Sequence, residues 1–210
     1  MSSDFKKSIK ELYSDQNIWV KLHVAVRSWI LQLTYYAKFL PQGGLLIDVG
    51  CGRGVMANYL SLLFPECHVI GIDLDQVKIR DAVKTVGGRR NIEFFIKDVS
   101  NWDVPECQGA IMTDFLHHIN GHLQISVLHN VYKSLEKGGV LLITEVDSAS
   151  RPIYKYWAAY LSDRALYPFS RSYFRKVSEW QYILSSIGFS VKTLTISNSV
   201  FAIVLFVCQK

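Results

Sequence analysis

With 210 residues, half of them hydrophobic and a fifth charged, the chain has the composition of one globular domain with a sizeable core. Its formal charge of +5 is modest for a nucleic-acid binder and is unevenly placed. Residues 151–176 hold Arg151, Lys155, Arg164, Arg171, Arg175 and Lys176 against the single acid Asp163, an excess equal to that of the whole chain.

The first sixteen residues are polar where a secretion signal needs an apolar stretch. Ile18 to Leu40 is the most apolar N-terminal part, but Lys21, His23 and Arg27 interrupt it, and its uncharged run is about half of the ~20 residues a membrane span needs. A helical cap over residues 1–43 is therefore expected, with peripheral membrane contact left open. Pro41 and the Gly43–Gly44 pair close it. The cysteines at 51, 67, 107 and 208 form no C-x-x-C pair, which favours free thiols and a reducing, cytoplasmic setting.

After the cap, short β-rich runs alternate with helical patterns. Strands are expected at 45–50, 68–73, 92–98, 109–114 and 140–146, and helices at about 54–63, 75–86 and 121–136. The sequence LEKGG reads as the stop of the third helix, with Lys137 in its last turn. A helix at about 176–187 follows, then two β runs separated by only Asn198–Ser199, too short a link for anything but antiparallel pairing. The fold class is α/β: a Rossmann-like, seven-stranded, mostly parallel sheet with an antiparallel terminal strand and helices on both faces. It occupies residues 44–210, with an aromatic, basic insertion at about 147–175.

Chemistry is concentrated where strands end. LLIDVGCGRGVMANYL passes from strand through three glycines into a helix, a form that brings backbone N–H groups close to a ligand. The spacing G-x-G-x-G differs from the dinucleotide fingerprint G-x-G-x-x-G, and Asp48 ahead of the turn would repel a pyrophosphate but welcome a cationic or zwitterionic ligand. Asp73 ends the second strand, where a carboxylate suits a ribose diol. Asp98 and Val99 end the third, where an acid and an adjacent N–H could read an adenine edge. Each acid alone reads as readily as a helix cap; three at successive strand ends do not.

LLIDVGCGRG, VIGIDLD, FIKDVSNW, AIMTDFLHHI and LEKGGVLLITE resemble, in order and spacing, the class I S-adenosylmethionine-dependent methyltransferases, over about residues 44–207. The resemblance implies S-adenosyl-L-methionine as cofactor. It places Asp48, Gly50, Cys51 and Gly52 at the methionine moiety, Asp73 and Leu74 at the ribose, Asp98 and Val99 at adenine, and Thr113 and Asp114 at the end of the fourth strand. The tetrapeptide D/N-P-P-Y/F of base-amino methylation is missing, and LHHI resembles instead the small-molecule enzymes of quinone and natural-product type.

His117 and His118 are the candidate catalytic residues, since a near-neutral imidazole can take a proton as a phenol, enol or carboxylic acid is methylated. His118 reads more readily as packing, His117 evenly as base or packing. A divalent ion on Asp114, His117 and His118 is disfavoured, because an imidazole at 117 suits a hard ion poorly, so no metal is expected. Tyr13 on the cap and Arg151, Tyr154, Trp157 and Arg171 in the insertion are candidate substrate contacts, aromatic walls with basic tips for an anionic aromatic or acyl acceptor; core packing is the competing expectation for Tyr13. Methyl transfer to a small-molecule oxygen leads, nucleic acid being an unfavoured partner. The alternatives are an RNA methyltransferase and an inactive cofactor-binding protein.

Overall fold

A computed structural model describes residues 3–30, 33–166, 171–196 and 200–210. Three helices come first: α1 (Ser3–Leu12), α2 (Ile18–Ile30) and α3 (Leu33–Ala37). There follow β1 (Gly44–Val49), α4 (Val55–Leu63), β2 (Cys67–Asp73), α5 (Gln76–Val83), β3 (Ile92–Ile96), β4 (Cys107–Thr113), α6 (Gly121–Ser134) and β5 (Leu135–Val146). The chain continues through α7 (Tyr154–Leu166), α8 (Val177–Ile187), β6 (Ser190–Thr195) and β7 (Ile203–Gln209).

The strands form one seven-stranded sheet in the order β3-β2-β1-β4-β5-β7-β6. β1 pairs parallel with both β2 and β4, and β7 pairs antiparallel with both β5 and β6. Because a strand's side chains alternate between faces, the apolar runs feed two cores at once. Leu46, Ile111, Leu142 and Leu205 pack with α4 and the N-terminal residues Ile9, Tyr13, Val20 and Val24. Ile47, Met112, Ile143 and Phe206 pack on the opposite face with Leu128 of α6 and Trp180 of α8. Burial on both faces is why these strands read as continuous apolar runs.

Helix starts follow capping chemistry. Asp75 accepts from the Val77 and Lys78 amides at 2.9 and 3.1 Å to open α5, and Asn120 accepts from the Leu123 amide at 3.1 Å to open α6. α8 ends on Gly188 at φ 118°, a left-handed value that favours glycine.

Two local expectations need correction. α6 ends at Ser134, and LEKGG belongs to β5 instead of capping the helix. Leu135 is buried and paired with Cys107, so its apolar side chain draws the chain into the sheet before the glycines are reached. The terminal strands are antiparallel as expected, but they end at Thr195 and resume at Ile203; Asn198–Ser199 lies outside the described residues. No helix among the described residues is long and apolar enough to cross a membrane.

Candidate active site

Between β1 and β4 the chain changes direction across the sheet: β2 and β3 build outward on one side, β4 and β5 on the other. Ligands of open α/β sheets bind in the crevice beyond the strand ends at such a point. Here it opens into a cavity of about 540 Å³, lined by Trp19, His23 and Arg27 of α2, by the turn after β1, by Asp73, by residues 113–118, and by Asp163, Phe174 and Ile203.

The glycine turn forms the floor. Gly50, Gly52 and Gly54 have φ of 71°, 55° and 76°, all left-handed. A Cβ at Gly50 would overlap the Phe115 ring, and one at Gly54 would lie 2.6 Å from the Phe94 ring. At Gly52 a Cβ would meet only a Lys78 side-chain carbon at 3.8 Å, so the backbone there faces open space. Asp73 clamps the turn: Oδ2 accepts from the Gly52 amide and Oδ1 from the Asp75 amide, both at 2.8 Å. Asp48 lies beneath, fully buried. Its Oδ2 accepts from the Ala57 amide at 3.0 Å, while Oδ1 has no hydrogen-bond partner among the described residues. Burial raises Asp48 to about 7, against the opposing pull of that amide and Arg27.

The far wall is a polar network around a single 3₁₀ turn, Leu116–His118. Gln124 Nε2 donates to the Leu116 and Ile119 carbonyls at 2.9 and 3.2 Å, and the His117 carbonyl accepts from the Tyr173 amide at 2.7 Å. His117 Nδ1 lies 2.7 Å from Glu145 Oε2, and Glu145 Oε1 accepts from the Leu116 amide at 2.8 Å. Its other nitrogen, Nε2, faces Asp163 Oδ1 at 3.7 Å, and the ring stacks on Phe174 with centroids 4.6 Å apart. Ser172 donates to Asp163 Oδ2.

The two histidines are held in opposite protonation states. Burial disfavours charge on His117, but the Glu145 and Asp163 carboxylates overcome it and raise the ring to about 10. Burial, with the neighbouring His117 charge, lowers His118 to about 4. His118 is therefore neutral near pH 7 and borders the cavity with a quarter of its side chain exposed. This reverses the weighting drawn from sequence: the partially open ring is His118, and the buried, packed one is His117. Above them Arg27 Nη1 binds Asp114 Oδ2 at 2.6 Å and Nη2 donates to the Thr113 carbonyl at 3.3 Å. Asp114 sits at φ 48°, unusual for a residue with a Cβ.

Of the candidates read from sequence, Gly50, Cys51, Gly52, Asp73, Thr113, Asp114, His117 and His118 meet on this cavity. Leu74 is 68% exposed and off the wall, Val99 packs in the core, and Asp98 is exposed with Oδ1 accepting from the Ser100 amide at 3.0 Å. The substrate candidates fall elsewhere. Tyr13 is buried, its hydroxyl donating to the Arg53 carbonyl at 2.6 Å. Arg151 and Arg171, outside α7, are exposed and off the wall; so are Tyr154 and Trp157, because α7 turns Ala159, Ser162 and Asp163 inward. Arg27, Glu145, Asp163 and Phe174 were missed. An acid inside the apolar run LLITEV, and a lone acid amid six basic residues, were the available signals.

The O-methyltransferase domain family matches residues 22–190. The malonyl-[acyl-carrier protein] O-methyltransferase of Bacillus cereus is 28% identical over 99 residues, covering 47% of this chain and 36% of that protein. Strychnine O-methyltransferase of Strychnos nux-vomica is 31% identical over 113 residues, covering 52% and 30%. An O-methyltransferase family 2 protein from Planctomyces limnophilus, solved in complex with apigenin, superposes with a TM-score of 0.73 at 20% identity, covering 94% of this chain and 62% of that one. The chain thus spans about a third of the length of these curated relatives.

Proposed function

Because the chain belongs to the O-methyltransferase domain family, whose class is S-adenosylmethionine-dependent, we propose that its cavity joins S-adenosylmethionine to an oxygen nucleophile of a small molecule. One observation carries the reading: the glycine turn, the Asp73 carboxylate and the neutral imidazole of His118 border a single cavity at the sheet's switch point, with Asp48 directly beneath the turn.

The residues present fit that cofactor. The Asp48 Oδ1 atom is buried without a partner beside a turn whose Gly52 faces open space, a combination that suits a cationic amino-acid end approaching closely. Asp48 and the Gly50–Gly52 backbone would hold the methionine moiety and Asp73 the ribose hydroxyls; Asp98 and the Val99 amide we assign to adenine. The bound cofactor supplies an electrophilic methyl group on a sulfonium. The chain supplies alignment, which accounts for much of the barrier to such a transfer, and a proton acceptor. His118, neutral and weakly basic, would take the proton as the acceptor oxygen gains oxonium character on methylation. His117 stays protonated between Glu145 and Asp163, fixing the turn that carries His118.

The acceptor we infer is largely apolar, because Val146, Phe174 and Ile203 face the cavity opposite the glycine turn. Its ionised group falls to the cavity's own cations, Arg27 and Lys78, in place of Arg151 and Arg171. Relatives named for O-methylation of malonyl-[acyl-carrier protein] and of strychnine support an oxygen acceptor. The test is a screen of phenolic, enolic and carboxylic acceptors with isotopically labelled methyl donor. Labelled methyl ether or ester is expected; binding of NAD without binding of S-adenosylmethionine would overturn the reading.

A further inference from the structure

Three ligand-type atoms converge on the cavity wall: His117 Nε2, His118 Nε2 and an oxygen of Asp163, within 4.8 Å of one another. Asp163 Oδ1 lies 3.7 Å from each imidazole nitrogen. They come from two elements far apart in sequence, the 3₁₀ turn and α7, and each is held from behind. Glu145 occupies His117 Nδ1, leaving Nε2 as the nitrogen that faces the others. Glu145 is in turn fixed by the Leu116 amide. The Ser172 hydroxyl holds Asp163 Oδ2, leaving Oδ1 to face the histidines. A carboxylate on the far nitrogen of an imidazole is the usual means of orienting a metal-bound histidine.

The expectation of no metal weighed Asp114 as the third ligand, and the structure gives that carboxylate to Arg27. Asp163, invisible as a partner in the sequence, takes its place. Two imidazoles and one carboxylate suit zinc and its first-row neighbours better than magnesium or calcium, which prefer all-oxygen shells. Bonds of about 2.0–2.2 Å set ligand atoms roughly 3–3.5 Å apart, so each imidazole nitrogen needs to approach Asp163 Oδ1 by a few tenths of an ångström from 3.7 Å, and the two imidazole nitrogens, within 4.8 Å of one another, by about 1–2 Å at most. The open cavity leaves further coordination positions.

We propose that His117, His118 and Asp163 form a binding site for a divalent transition-metal ion of the zinc class, which takes the same His118 lone pair that methyl transfer requires. Metal occupancy and base catalysis then exclude one another, so the site is an inhibitory one. The exclusion rests on the reading of His118 as proton acceptor; the metal site itself rests on the geometry alone.

The probe is cobalt(II) chloride added to the chelator-stripped full chain. One equivalent should bind with visible ligand-field absorption, and zinc should displace it. In His118→Gln and in Asp163→Asn, each checked for an unchanged thermal transition, affinity should fall by about tenfold or more. Unchanged binding in both variants, no binding at millimolar cobalt, or a strong near-ultraviolet sulfur-to-cobalt band would overturn the site. Zinc should also abolish methyl transfer, with recovery on adding chelator. Failure of methyl transfer in chelator alone would sink the enzymatic reading, while the cobalt spectrum would still decide the site.

Discussion

Asp48 is a carboxylate held with one oxygen bonded and one unsatisfied, deep under a turn. Its folded-state value of about 7 lies above the ordinary 3.8. The folded chain therefore keeps the proton more tightly than the unfolded chain. Below about pH 4 the group makes no difference, and stability falls as pH rises from there through 7. The fall is on the order of 4 kcal/mol at full ionisation, from about 1.4 kcal/mol per unit. Urea unfolding of the cofactor-free chain at pH 5 and pH 8 should show about 2.5 kcal/mol of that loss, the rest falling below pH 5, and Asp48→Asn should remove most of it. Identical pH dependence in the two proteins would mean that Asp48 is not the group responsible. The same substitution should weaken S-adenosylmethionine binding, because the ammonium of its amino-acid end loses an anionic partner.

Asp73 and His118 separate binding from chemistry. Asp73→Ala should weaken cofactor binding by about 1.5–3 kcal/mol in calorimetry, as hydrogen bonds to a charged acceptor disappear. His118→Ala should lower kcat roughly a hundredfold while cofactor affinity stays near its original value. If His117→Ala slowed the reaction with the fold intact while His118→Ala did not, the assignment of roles within the pair would have to be exchanged.

Among the elements, α7 and α2 exchange the parts the sequence suggests for them. The basic, aromatic stretch reads as an acceptor pocket, yet Tyr154 and Trp157 point away and the cavity takes Asp163 from the same helix. α2 instead contributes the arginine. Replacing Arg151 and Arg171 by Gln should leave KM for a small anionic acceptor within about twofold, whereas Arg27→Gln should raise it roughly tenfold. A large shift from the double replacement would return recognition to the insertion.

Strands and glycine turn were legible because each rests on local pattern: apolar runs in β1, β2, β4 and β5, and left-handed positions that only Gly50, Gly52 and Gly54 fill cheaply. Glu145 and Asp163 were not, because their partner, His117, comes from a third segment and only the folded chain brings them together. The end of α6 failed for a related reason. LEKGG has the local grammar of a helix stop, but burial of Leu135 beside Cys107 decides the boundary.

For the whole molecule, the N-terminal helices α1–α3 share their core with the sheet. Ile9, Tyr13, Val20 and Val24 pack with α4 residues and with Leu46 and Ile111. We therefore propose that cap and sheet unfold as one unit. Deleting residues 1–40 should abolish cooperative unfolding, since it exposes that face of α4 to water. A truncated chain with a sharp transition of its own would show that the cap is an independent attachment.

β7 is the last strand in chain order, yet it lies inside the sheet between β5 and β6. Until residues 203–209 have been synthesised, β5 presents an unpaired ladder of N–H and C=O groups along Val140–Val146. A nascent chain that has not yet made β7 thus carries β1–β5 with an adhesive flank, open to pairing with a neighbouring chain. Insertion of β7 between β5 and β6, more than the assembly of any one βα unit, becomes the event that commits the sheet to its native order.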